Sequence, residues 1–167
     1  AFSANVEAVA DYLALADDVS CALFTPPSFA YALSQIMTHL YAGGALLPAP
    51  SGMLEPQNLL QELAANRITG IQANPSIFEI MTGLDLEQWP DLSAVRYVMS
   101  GGQNLMSPLA QKLTRRFPNA RIVSMYGCTE NAPRITYSWL PAVVPDRATP
   151  WPVGKPIAGT RLRIVDE

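Results

Sequence analysis

Cysteine, histidine and lysine are scarce in this chain of 167 residues. Two cysteines, Cys21 and Cys128, stand far apart and make no metal-binding spacing. His39 is the single histidine, and without a second histidine or a paired cysteine it supports neither a nucleophile triad nor a metal cluster. Only 15% of residues are charged and the net charge is -3, so there is no basic footprint for nucleic acid or an anionic membrane surface. No apolar run is long enough to span a bilayer, and the N-terminus lacks the basic flank of a signal peptide. A soluble, cytoplasmic protein with reduced thiols is the expectation. What the chain does have is apolar content, 49% of residues, enough for one well-buried core.

Strand-like and helix-like stretches alternate. The spacing predicts a helix capped by Asn5 and ending near Asp17-Asp18, then a buried strand over Val19 to Phe24. From Ser28, Phe29, Leu33, Ile36, Met37, Leu40 and Tyr41 share one helical face, and Gly43-Gly44 stops that helix. A short strand at Ala45 to Leu47, a helix through Leu59, Leu60 and Leu63, and a strand from Ile68 to Ala73 follow. Asn74-Pro75-Ser76 opens another helix, Val95 to Met99 is a strand, and Ser107-Pro108 caps and starts a helix to about Phe117. Arg121-Ile122-Val123 is the fifth strand.

This alternation predicts an α/β fold: a largely parallel sheet with helices on both faces, followed by the start of a small antiparallel β region. Residues 1–140 form the α/β part and 141–167 the start of the β-rich part. There, Pro141, Pro145, Pro150 and Pro152 precede the alternating Arg161 to Val165, expected to join a second, smaller sheet. Opening directly on a helix and stopping at Asp166-Glu167 suggests a piece of a larger domain, and unpartnered apolar surface on such a piece favours self-association.

Two strand-end loops carry chemistry-bearing residues, and in a parallel sheet they open at the same edge. Ser100-Gly101-Gly102-Gln103 offers bare backbone for a flat base. Tyr126-Gly127-Cys128-Thr129-Glu130 puts a ring, a glycine, a phosphate donor and a hard oxygen ligand suited to Mg²⁺ on one turn. Each loop alone is also consistent with an ordinary turn; the combination is far more specific.

With these motifs the chain resembles the acyl-adenylate-forming enzymes: acyl- and aryl-CoA ligases, acyl-AMP ligases, luciferases and the adenylation domains of nonribosomal peptide synthetases. Tyr126 to Glu130 fits that family's Tyr-Gly-x-Thr-Glu motif, and Val153-Gly154-Lys155-Pro156-Ile157-Ala158-Gly159 resembles its GKPxPG segment. Tyr31 to Pro48 is similar to the helix and strand beside its acyl pocket and resembles the acyl-CoA-ligase-like branch most. The resemblance implies an ATP-dependent ligase that makes an acyl-AMP and passes the acyl group to a thiol of CoA or of a carrier protein's phosphopantetheine. It implies that Tyr126 stacks on adenine while Gly101, Gly102, Gln103 and Gly127 line base and ribose. Thr129 would bind the reacting phosphate and Glu130 would hold Mg²⁺. Phe29, Leu33, Met99, Met125, Pro133 and Arg134 would border the acyl pocket, and most of these are apolar, so an apolar or aromatic acid is expected. Ser124 departs from the family's usual Asn or Asp. The family's phosphate loop, ribose aspartate and adenylation lysine have no counterpart in these residues, so the chain by itself is expected not to turn over. A non-catalytic module that docks on a carrier protein, a degenerate ligase, and an unrelated nucleotide-binding α/β domain are the competing expectations.

Overall fold

The computed structural model describes residues 1–48, 55–146 and 149–165. The ends at Asp166-Glu167 and the middle of the loop after Pro48 lie outside them. Five strands run parallel: β1 (Ser20–Leu23), β2 (Ala45–Pro48), β3 (Gly70–Ala73), β4 (Tyr97–Ser100) and β5 (Arg121–Tyr126). Two antiparallel strands follow, β6 (Thr136–Trp139) and β7 (Lys155–Pro156). All seven join one sheet in the order β2-β1-β3-β4-β5-β6-β7. Antiparallel strands do follow the parallel ones as expected, but among the described residues they form no second sheet: β6 and β7 extend the main sheet, and Arg161 to Val165 makes no strand.

Five helices cover the sheet: α1 (Phe2–Leu13), α2 (Ala30–Tyr41), α3 (Pro56–Ala65), α4 (Pro75–Thr82) and α5 (Ser107–Arg116). The α3–α5 face is dry. Leu59, Leu63, Phe78, Met81, Leu109 and Leu113 close on Ile71, Val98 and Ile122, all buried. Asn74 caps α4 by accepting from the Ile77 N–H at 3.0 Å, as its position before Pro75 predicts. Ser107 is one step inside its helix instead of capping it, and its hydroxyl donates to the Thr149 carbonyl at 3.1 Å.

The opposite face is wet. Val9 and Leu13 of α1 pack on Cys21, Met99, Val123 and Met125, but polar side chains are interleaved with them. Asn5, expected as a cap, lies within α1, buried, and its Nδ2 donates to the Arg134 carbonyl at 2.6 Å. Helix α2 turns its polar side inward: Ser34, Gln35, Thr38 and His39 are fully buried, while Phe29, Leu33, Met37, Leu40 and Tyr41 are exposed. The apolar stripe is real, but it faces away from the sheet because the inward side must meet polar groups of β1, β3 and β4.

That outer stripe is a contiguous apolar surface of the kind that drives association. The chain is expected to self-associate with rising concentration in light scattering. Leu33→Lys combined with Leu40→Glu should return it to a monomer without altering its far-ultraviolet circular dichroism.

Candidate active site

Strands β4 and β5 are parallel neighbours, with Ser100 level with Ser124. Their carboxyl ends consequently release both motif loops on the same side. The two loops wall one cleft of about 180 Å³, lined by Gly102, Gln103, Asn104 and Leu105 from one and Ser124 to Gly127 from the other. Loops opening at opposite ends, as an unrelated arrangement would require, are not what the chain forms.

Tyr126 is the last residue of β5, is 47% exposed and lines the cleft instead of joining the core. Gly102 has φ +84° with nothing within 4 Å of where a Cβ would stand, leaving bare backbone open to a ligand. Gly127 is small for a different reason: a Cβ there would overlap the Pro133 carbonyl where the chain doubles back. Gln103 accepts a hydrogen bond from the Ser76 hydroxyl at 3.2 Å, which ties the glycine loop to the start of α4.

Thr129 and Glu130 sit on a single 3-10 turn, Thr129–Asn131, beyond the cleft floor, both exposed. Ala132 then takes a left-handed conformation, φ 51°, and reverses the chain into β6. A lone exposed carboxylate suits Mg²⁺, which keeps most of its waters and takes one or two carboxylates together with phosphate oxygens. Among the described residues no group of three or more His, Cys, Asp or Glu comes together for a metal held by protein alone.

The acyl-side residues divide. Met99, Met125, Pro133 and Arg134 are buried together on the wet face. Phe29 at 59% and Leu33 at 45% exposure are on the outer side of α2 and do not join them. Sequence reading missed Tyr31 and Gln72. Tyr31 lies 4.4 Å from the Arg134 guanidinium carbon, and Gln72 accepts from Arg134 Nη2 at 2.8 Å. The available signal was polar, not apolar: Tyr31, Ser34, Gln35, Thr38 and His39 recur at three- and four-residue steps. Trp151 and Val153 were also missed; they complete the cleft because the segment after Pro150 folds onto the glycine loop, with the Trp151 N–H donating to the Leu105 carbonyl at 2.6 Å.

A buried polar chain runs behind the cleft. His39 Nδ1 lies 2.7 Å from the Gln35 carbonyl and Nε2 lies 2.7 Å from the Tyr97 hydroxyl. A carbonyl can only accept, so Nδ1 carries the proton and Nε2 accepts from Tyr97. Gln72 Nε2 donates to the same hydroxyl at 3.2 Å, and its Oε1 takes the Arg134 bond. Burial pulls the His39 pKa from 6.5 down to about 4, the Arg134 charge adds to this, and the Gln35 carbonyl works against it. Cys21 is a buried thiol, pushed up to about 11 by desolvation and so inert, as its place in an apolar run predicts. Lys112 pairs with Glu79 at 3.0 Å, and Lys155 lies against the Tyr137 ring.

Comparison with known proteins gives the family and the fold. Residues 1–167 match the family described as "AMP-binding enzyme". Indigoidine synthase of Streptomyces lavendulae is 25% identical over 144 residues, 86% of this chain but 11% of that protein. The crystal structure of IdnL1 superposes with a TM-score of 0.84 at 23% identity, over 92% of this chain and 32% of that one. The Vibrio cholerae adenylation domain AlmE, solved with glycyl-adenosine-5′-phosphate, gives 0.76 at 19% identity, over 92% of this chain and 29% of that one. The chain thus spans about a tenth of the length of that synthase and a third or less of those two structures. Among the described residues no helix is long and apolar enough to cross a membrane. With a match that runs from its first residue to its last, the chain belongs to the AMP-binding enzymes, the acyl-adenylate-forming family.

Proposed function

We propose that this chain carries the adenine-binding wall and part of the phosphate site of a cytoplasmic ligase that activates a carboxylic acid with ATP. A carboxylate oxygen of the acid attacks the α-phosphorus, the bond from that phosphorus to the bridging oxygen of the β-phosphate breaks, and pyrophosphate leaves acyl-AMP behind. A thiol of CoA or of a carrier-protein phosphopantetheine then attacks the acyl carbon, and AMP departs.

The observation that supports this most is the shared cleft: a half-exposed tyrosine ring and an unobstructed glycine backbone face each other across the carboxyl ends of two adjacent strands. Tyr126 would hold the base by stacking, with Gly101, Gly102 and Gln103 along its edge and Gly127 at the ribose. Thr129 would donate its hydroxyl to the α-phosphate, where charge accumulates as the new bond forms. Glu130 would hold Mg²⁺, which when bound neutralises phosphate charge and orients the leaving pyrophosphate. The work left to the protein is positioning, so these residues need correct placement more than unusual acidity. Because neither lysine stands at the cleft, turnover is assigned to the longer protein and binding to this chain.

The test is calorimetric titration with AMP. Binding is expected, and Tyr126→Ala should weaken it by roughly 5- to 100-fold, the worth of one base–aromatic stack. An unchanged affinity in that variant would remove the ring from the site.

A further inference from the structure

The wet face holds one permanent charge with no counter-ion among the described residues. Arg134 is 1% exposed, and a guanidinium does not deprotonate in a protein. Of its five N–H donors, one is taken by Gln72 Oε1 at 2.8 Å and one by the Met99 thioether, a weak acceptor. Its Nε–H is buried without a partner. The Tyr31 ring supplies a cation–π contact, and the Tyr31 hydroxyl is likewise buried and unpartnered. No carboxylate among the described residues reaches it: the ion pairs Arg96–Asp18 and Lys112–Glu79 involve other cations. Nor can a neighbour ionise to compensate, since burial holds Tyr12, Tyr31, Tyr97 and Cys21 in their protonated, neutral forms. A desolvated cation lacking a counter-ion is costly to keep.

Its position explains why it would be kept. Tyr31 follows β1 and Gln72 lies in β3, adjacent strands whose connections leave to opposite faces, where crevices open in α/β sheets. Tyr31 stands behind the cleft wall: a Cβ on Gly101, next to the cleft-lining Gly102, would stand 3.0 Å from its ring and 2.7 Å from the tip of Met125. The guanidinium lies against the Tyr31 ring, and that ring stands beside Gly101. A ligand that passed Gly101 and displaced the Tyr31 ring would meet Arg134.

We propose that Arg134 is the counter-ion for a second carboxylate on the acid that is activated, so the substrate is a diacid and not the apolar acid that the lining residues suggest in the sequence. The planar Nε–Nη edge of the guanidinium matches a carboxylate in two parallel hydrogen bonds. This rests on the adenylate-forming reading above, with the reacting carboxylate at Thr129 and the second one beneath Tyr31.

The chain can be titrated with sulfamoyladenosine conjugates of succinic, glutaric and adipic acid, each beside its neutral terminal amide. At least one free-acid conjugate should bind about tenfold tighter than its amide or better. Arg134→Met should bring that ratio to about one, and Arg134→Lys should restore part of it. Acid and amide binding alike across all three lengths would overturn the proposal, and this comparison needs no variant to fold. So would a preference that survives Arg134→Met. If no conjugate binds and AMP does not either, the adenylate reading falls, and this proposal with it.

Discussion

Acidification from pH 7 to 4 is expected to cost the fold about 3 kcal/mol through His39 alone. The imidazole titrates near 6.5 when the chain is unfolded and near 4 when folded. Between these values the unfolded state binds the extra proton and the native state does not, so stability is full above pH 6.5, falls as pH drops, and levels off below 4. Each unit of separation is worth about 1.4 kcal/mol. The cause is geometric: Nε2 already accepts from Tyr97, Nδ1 already donates to Gln35, and the ring is sealed beneath α2 with the Arg134 charge on the same network. Urea midpoints at pH 7, 6, 5 and 4.5 measure the slope before Asp18 and Asp91, both held below the usual carboxylate range, begin to protonate. His39→Leu should lie lower at pH 7 and run nearly flat to pH 5. A wild-type curve equally flat over that interval would mean that the ring is hydrated.

Gly127→Ala is the second large effect. Here the side chain would meet backbone, the Pro133 carbonyl, with the Arg134 Cα at 3.1 Å behind it. Backbone cannot rotate aside as a side chain can, so the β5–β6 reversal itself must open. The expected loss exceeds about 3 kcal/mol, or a drop in melting temperature on the order of 10 °C for a chain of this size. Gly102→Ala is the matched contrast. That site has open space and a φ of +84°, so it should lose only about 1 kcal/mol from backbone strain. Thermal melts of the two variants side by side separate collision from conformation, and equal losses would contradict the placement of Pro133 against Gly127.

Five strands and five helices were legible because their punctuation is strong. Apolar runs of strand length stop at Thr25-Pro26-Pro27, Asn74-Pro75 and Ser100-Gly101-Gly102, and helices stop at Gly43-Gly44. Both cleft loops were legible for the same reason, since glycines at strand ends mark where backbone must bend or approach. Orientation was not. Hydrophobic periodicity gives α2 an apolar side without saying which side meets the sheet, and the deciding groups, Cys21, Gln72 and Tyr97, belong to distant strands. β6 went unread although Thr136-Tyr137-Ser138-Trp139 alternates polar and aromatic side chains, because four residues are a short signal beside the prolines that follow. It is held by pairing with β5 and by the Tyr12–Tyr137 stack, ring centroids 4.1 Å apart. Arg161 to Val165 shows the reverse failure: it has a strand pattern and, among the described residues, no partner to pair with.

Among the described residues the sheet ends at β2 on one rim and β7 on the other. Each rim strand carries a proline, Pro48 and Pro156, and β7 is two residues long. A proline has no N–H to offer an incoming strand, so neither border is a good template for adding another chain. Copies of this protein therefore have little means of stacking edge to edge into fibrils, and their contacts fall to side-chain surfaces, which remain reversible.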